Sequence, residues 1–201
     1  MNKFVLSGVF ALTALCSAPS FAHDFHHQIS VDTALKTNAQ GELVGLQMHW
    51  LNDENVSKAM LEDEDMSPEH REQTLQQIGG RLLHDLRPMG YYTQLKLDGQ
   101  TIQPAEAKEY TLTVTADQRL MLDFLLPLPA ATAMQGKTLT WNMLDPEGSG
   151  ILRYADSSHL SLGENPPAHC QLTLSAATAA ADATPEEQSK ASQTVSLTCP
   201  S

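Results

Sequence analysis

QISVDTALKTNAQGELVGLQMHWL, residues Gln28–Leu51, reads as two strands and the turn between them. From Gln28 to Thr37, Ile29 and Val31 alternate with Ser30 and Asp32; from Leu43 to Leu51, Val44, Leu46, Met48 and Trp50 take every second place. A period of two sends successive side chains to opposite faces of a sheet. Asn38-Ala39-Gln40-Gly41 between the runs supplies hairpin turn chemistry. Trp50 then belongs to an apolar layer, and His49 to the wetter face.

Beyond this hairpin the pattern changes. Glu54 to Leu61 carries helical signals, and a firmer helix is expected from Ser67 as N-cap and Pro68 as first helical residue, with Leu75, Ile78, Leu82, Leu86 and Met89 forming one stripe. Gly79-Gly80 weaken that helix by about 1 kcal/mol each relative to alanine and mark either a kink or a close contact. Strands resume after Tyr91: Tyr92–Leu97 turning at Asp98-Gly99, then Glu109–Thr115, Leu120–Leu126 and Thr138–Leu144, and near the C-terminus Cys170–Leu174 and Thr194–Cys199. The expected class is α+β: an antiparallel sheet or sandwich with a helical segment inserted between about Asp53 and Met89.

The first 22 residues have the order of a secretory signal, with Lys3, an apolar run from Phe4 to Leu15, and Ser20 and Ala22 flanking Phe21. The expected organisation is a signal peptide over residues 1–22 and a single periplasmic domain over 23–201. No later stretch approaches the ~20 apolar residues of a membrane helix, so the exported chain is expected not to span the membrane. The full chain has 24 Asp and Glu against 12 Lys and Arg. That balance argues against nucleic acid and anionic lipid as partners and suits cations. Removing the signal takes Cys16 with it and leaves Cys170 and Cys199, an even pair that reads as a disulfide in an oxidising compartment. Closing a loop of that length stabilises the fold by roughly 3.5 kcal/mol in the chain-entropy account.

Cleavage after Ala22 makes His23 the first residue of the mature protein, followed by Asp24-Phe25-His26-His27. The free α-amine and imidazole of His23 can chelate one ion together, and His26 or His27 adds a further nitrogen. Imidazole nitrogen suits zinc, copper, nickel and cobalt, and a site with an open position allows both capture and release. In an extended segment His26 and His27 point to opposite faces, so one ion takes one of them with His23. Asp24, Asp32, His49 or a residue near His159 and His169 is the candidate for the remaining ligand. The acidic run Glu62-Asp63-Glu64-Asp65 lacks the glycine and the terminal glutamate of a calcium loop and reads as a solvated connection between helices. Ser149 in Gly148-Ser149-Gly150 lacks nucleophile-elbow spacing, and phosphate loops and dinucleotide fingerprints are absent. Nothing in these patterns supports a hydrolase or dehydrogenase, and the chain is read as no enzyme.

Val44-Gly45-Leu46-Gln47-Met48-His49-Trp50-Leu51-Asn52-Asp53-Glu54, Gly90-Tyr91-Tyr92, Phe124 to Pro129 and Asp145-Pro146 come after the N-terminal histidines in this order. In these motifs the chain resembles the ZevA-like family of periplasmic accessory proteins, a domain of unknown function associated with zinc, nickel and cobalt transporters of the NicO type. The resemblance covers most of the mature chain. It implies a periplasmic protein that handles a divalent ion beside an inner-membrane metal transporter. The family's His-Pro-His is replaced here by His23-Asp24-Phe25-His26-His27, and the resemblance carries its role to His23 and His27 first, with His26 as competitor. Two other classes remain: a copper enzyme using the His23 amine and imidazole as a brace, and an interaction module whose histidines bind no metal.

Overall fold

The computed structural model describes residues 27–166, 169–176, 187 and 191–201. The expected signal segment and the candidate ligands His23, Asp24 and His26 lie outside these residues. The first strand, β1 (His27–Thr37), and the second, β2 (Leu43–Asn52), form the antiparallel hairpin expected from the alternation. Two helices come next, α1 (Glu54–Leu61) and α2 (Arg71–Leu86), then a 3-10 segment over Arg87–Tyr92. The middle of the chain supplies β3 (Thr93–Leu97), β4 (Gln100–Ile102), β5 (Tyr110–Val114), β6 (Leu120–Thr132) and β7 (Thr138–Met143). The chain ends with β8 (Gly150–Arg153), β9 (Leu160–Ser161), β10 (Gln171–Leu174) and β11 (Thr194–Thr198).

These strands make two sheets. One has the order β5-β6-β2-β1-β8, with β9 also on β1; the other has the order β10-β11-β7-β3-β4. The inner faces of both feed one buried cluster containing Leu46, Met48, Trp50, Leu122 and Phe124 from the first sheet and Leu95, Leu139, Trp141, Val195 and Leu197 from the second. A polar pin crosses between the sheets: Trp141 Nε1 donates to Tyr154 Oη at 3.0 Å, and Tyr154 Oη meets Thr33 Oγ1 at 2.7 Å. The expected α+β class with an inserted helical segment is the observed one, and of the two arrangements left open, one sheet or a sandwich, the chain forms the sandwich. Most ladders are antiparallel, but β8 and β9 both pair parallel to β1. Strands of four and two residues have too little alternation to be read from sequence.

The helical insertion covers the β5 edge. Its stripe is broader than expected, since Thr74, Gly79 and Leu83 are buried along with Leu75, Ile78 and Leu86. Regular helix starts at Arg71 rather than Pro68, because Ser67 O accepts the N–H groups of both His70 and Arg71 and closes a turn ahead of it. Gly79-Gly80 mark a close contact: a Cβ at Gly79 would stand 2.9 Å from the Tyr110 ring, and one at Gly80 2.7 Å from its hydroxyl. The strand β6 runs on through Pro127 and Pro129, past the expected end at Leu126. Leu125 N donates to Glu109 O on the β5 side, and at Pro127, where β5 has ended, the missing N–H breaks no ladder bond. Cys170 and Cys199 form the expected disulfide, joining the paired ends of β10 and β11. Among the described residues no helix is long and apolar enough to cross a membrane.

Candidate functional site

The sequence landmarks meet at one end of the sandwich, where β1 begins and β2 ends. Asp53 ties three pieces together there: its carboxylate accepts the N–H of Val56, capping α1, and the N–H of Gln28, while Asp53 N donates to Gln28 O. Its role is architectural, as a helix N-cap. Trp50, two percent exposed, lies beneath, in edge contact with Phe124 and stacked on Tyr92 at 6.3 Å between centroids. Tyr92 reaches that place through an unusual backbone: Gly90, Tyr91 and Tyr92 have φ of 61°, 56° and 52° in succession. Left-handed conformations at non-glycine residues cost energy and persist where packing enforces them. Here Tyr91 is driven into the core, its hydroxyl accepting the N–H of Ala107, and Tyr92 is left on the end of the sandwich.

The loop from β7 to β8 closes this end. The carboxylate of Asp145 is two percent exposed and accepts hydrogen bonds from Glu147 N, Ser149 Oγ and Gly150 N at 2.9, 2.8 and 2.7 Å. Burial pushes its pKa up, but those three donors and the nearby His27 outweigh it and hold the carboxyl below its ordinary value. Asp145 is therefore an anion inside the fold. Burial together with the charges of Asp145 and Glu147 pushes Tyr92 up to about 12, so its hydroxyl stays protonated.

His27 lies near this anion, close enough for the charges to interact. Its backbone N–H donates to Ser149 O, and its ring lies over Gly150: a Cβ there would be 2.9 Å from His27 Nε2 and 3.3 Å from Asp145 Oδ2. Only a residue with no side chain leaves the imidazole that place. The result is an imidazole beside a buried carboxylate, at the point where the histidine-bearing segment enters the fold.

His49 is elsewhere. On β1 the odd positions face the core, and on β2 the even ones from Leu46 to Asn52 do, so His27 lies on the inner side of the sheet and His49 on the outer; a register shift at the start of β2 buries Leu43 in place of the expected Val44. The register pairs Asp32 with His49 and His49 with Asp123, forming a row across the outer face. In that row His49 Nδ1 contacts Asp123 Oδ1, and His159 Nδ1 meets Asp32 Oδ1 at 2.7 Å. His169 lines a cavity with Gln40, Gly41 and Glu42, at the hairpin turn and so at the opposite end of β1 from His27. Among the described residues no three His, Cys, Asp or Glu side chains stand together as a group that could hold a metal ion. The acidic run is a connection between helices, with Glu64 paired to Arg81 and Asp65 to His70.

Asp145 enters the sequence reading only in the family resemblance, and Tyr92 there and as the expected first residue of a strand that in fact starts at Thr93; neither enters as a site residue. Asp145-Pro146 reads locally as a turn, and its proximity to His27 is a contact across more than a hundred residues. Asp123 had a usable signal, a lone charge in Leu120-Met121-Leu122-Asp123-Phe124, which places it on the outer face; its partner is visible only in the register.

A family described as "Protein of unknown function (DUF1007)" matches residues 8–198. The chain belongs to that family. No curated protein matches it.

Proposed function

We propose that this member of the DUF1007 family is a non-enzymatic periplasmic metal-binding protein that passes a divalent cation, zinc first and nickel or cobalt second, to or from an inner-membrane transporter. The observation that carries this reading is His27 held over Gly150 beside the buried anion of Asp145. The two interact through space, the charge of Asp145 favouring positive charge at the ring. His27 then supplies a fixed imidazole to an ion whose other nitrogens come from His23, while the field of Asp145 favours a cation at that spot. The net charge of −12 acts in the same direction at longer range.

The test is calorimetric titration of the mature protein with zinc, nickel, cobalt and copper(II). Tight zinc binding is expected, weakened by His27→Ala and by one extra residue placed before His23, which turns the chelating amine into an amide. The α-amine (pKa near ~7.7–8.0) and imidazole (near ~6.5) must lose protons to bind, so affinity is expected to fall steeply from about pH 7.5 to 5.5. Unchanged binding by the extended protein removes the terminal chelate. Oxygen consumption by the copper form would move the protein to the copper-enzyme class, and no affinity above that of the unfolded peptide would leave an interaction module.

A further inference from the structure

The outer face of the β5-β6-β2-β1-β8 sheet carries two histidines prepared in the same way. His49, from the middle of β2, has Nδ1 on the carboxylate of Asp123; His159, from the 3-10 turn Ser157–His159, has Nδ1 on the carboxylate of Asp32. An ionised carboxylate accepts, so each neutral ring carries its proton on Nδ1 and keeps its lone pair on Nε2. That is the tautomer in which imidazole ligates a metal while its second nitrogen is held by a carboxylate. The two histidines stand on the walls of one cavity of about 400 Å³, together with Asp32, Met121, Ser158 and Ser161. Both are reachable from solvent, with side chains 39% and 36% exposed.

We propose that His49 and His159 form a second divalent transition-metal site, separate from the N-terminal one, in which the two Nε2 atoms bind an ion of the zinc, nickel or copper(II) class. Asp123 and Asp32 are positioning residues: each fixes the tautomer and aim of its histidine. Two protein ligands leave the remaining coordination positions to solvent, so the site is open and exchanges its ion readily. The strand register does the assembly. Asp32, His49 and Asp123 are consecutive cross-strand partners, and the pairing of β9 with β1 at Thr33 and Ala34 holds the His159 turn over Asp32.

The mature full-length protein is titrated with zinc, nickel or copper(II) chloride, with bound metal counted by equilibrium dialysis. Imidazole nitrogen signals are followed by long-range 1H–15N NMR in the zinc titration. We expect a second equivalent of metal, with the Nε2 signals of His49 and His159 responding together. His49→Ala and His159→Ala should each remove that equivalent, and Asp123→Asn and Asp32→Asn should weaken it about 10–100-fold at unchanged thermal stability. The Asn variants should also lower the population of the Nδ1–H tautomer before any metal is added, a readout that a merely structural role would leave unmoved. No second equivalent up to about 1 mM metal, a response from one ring alone, or full binding by the alanine variants overturns the proposal. The N-terminal reading is scored separately by His27→Ala and the extended terminus, so either site can fail while the other stands.

Discussion

At the level of single residues, Asp145 sets the geometry of the sandwich end. Its carboxylate takes three donors, two on Oδ2 and one on Oδ1, and an amide cannot satisfy all of them. Asp145→Asn is therefore expected to cost about 1–3 kcal/mol through a donor left facing a donor. The pH dependence has a definite sign. The folded carboxyl titrates below the ordinary 3.8, so its stabilisation is whole above about pH 4 and is lost as pH falls through the folded value. Urea midpoints followed down the acid range should fall less steeply in Asp145→Asn than in the parent; equal slopes would show that Asp145 is not the depressed group. Gly150 is the companion case. Its methyl derivative would collide with His27 Nε2 at 2.9 Å, so Gly150→Ala should shift the His27 ring signals and weaken zinc binding about tenfold, near the lower end of effects seen when a ligand's support is disturbed. Ring signals that stay in place would mean the imidazole does not lie over Gly150.

Among the elements, the contact between α2 and β5 sets two effects against each other. Alanine is worth about 1 kcal/mol more than glycine in a helix interior. At Gly79, however, the added Cβ would stand 2.9 Å from Tyr110 Cε2 and 3.3 Å from Leu112 Cβ, and overpacking of this kind costs about 1–3 kcal/mol. The clash should win: Gly79→Ala is expected to lower stability in denaturant titration. In a Tyr110→Leu background the ring is gone, and the same substitution should become neutral or stabilising. A Gly79→Ala protein more stable than its parent would show that the helix stands further off the sheet. The doublet was legible in the sequence as a weakness within the helix, with kink and close contact both open. The α2 helix runs unbroken from Arg71 to Leu86, so the contact is the answer, and the neighbour that decided it is Tyr110, about thirty residues away.

Across the molecule as a whole, the disulfide ties the edge strand β10 to β11, and the β11–β7 ladder joins that pair to the rest of the sheet. Replacing both cysteines by serine should lower stability by roughly 3 kcal/mol, and the exported protein should weigh two protons less than its reduced form. A stability loss below about 1 kcal/mol would mean that the β10–β11 ladder alone holds the edge strand. Alternation, turn residues and cysteine parity are local or compositional properties, legible in the sequence without any knowledge of the fold. They suffice for the β1–β2 hairpin, the inserted helices, the paired strands, the sandwich class and the Cys170–Cys199 bond. They also put His49 on the face opposite Trp50, since a period of two cannot do otherwise. Which side chains meet was settled in the folded chain alone. Register and the return of the chain through β8 and β9 brought Asp145 to His27, Asp123 to His49 and Asp32 to His159, while leaving His49 and His27 on opposite sides of one sheet. The outer-face pairs join residues 74 and 127 positions apart through direct hydrogen bonds. Contacts at such separations are set by strand pairing across the whole domain, where a shift of one residue turns every side chain to the other face; no local pattern in the chain encodes them.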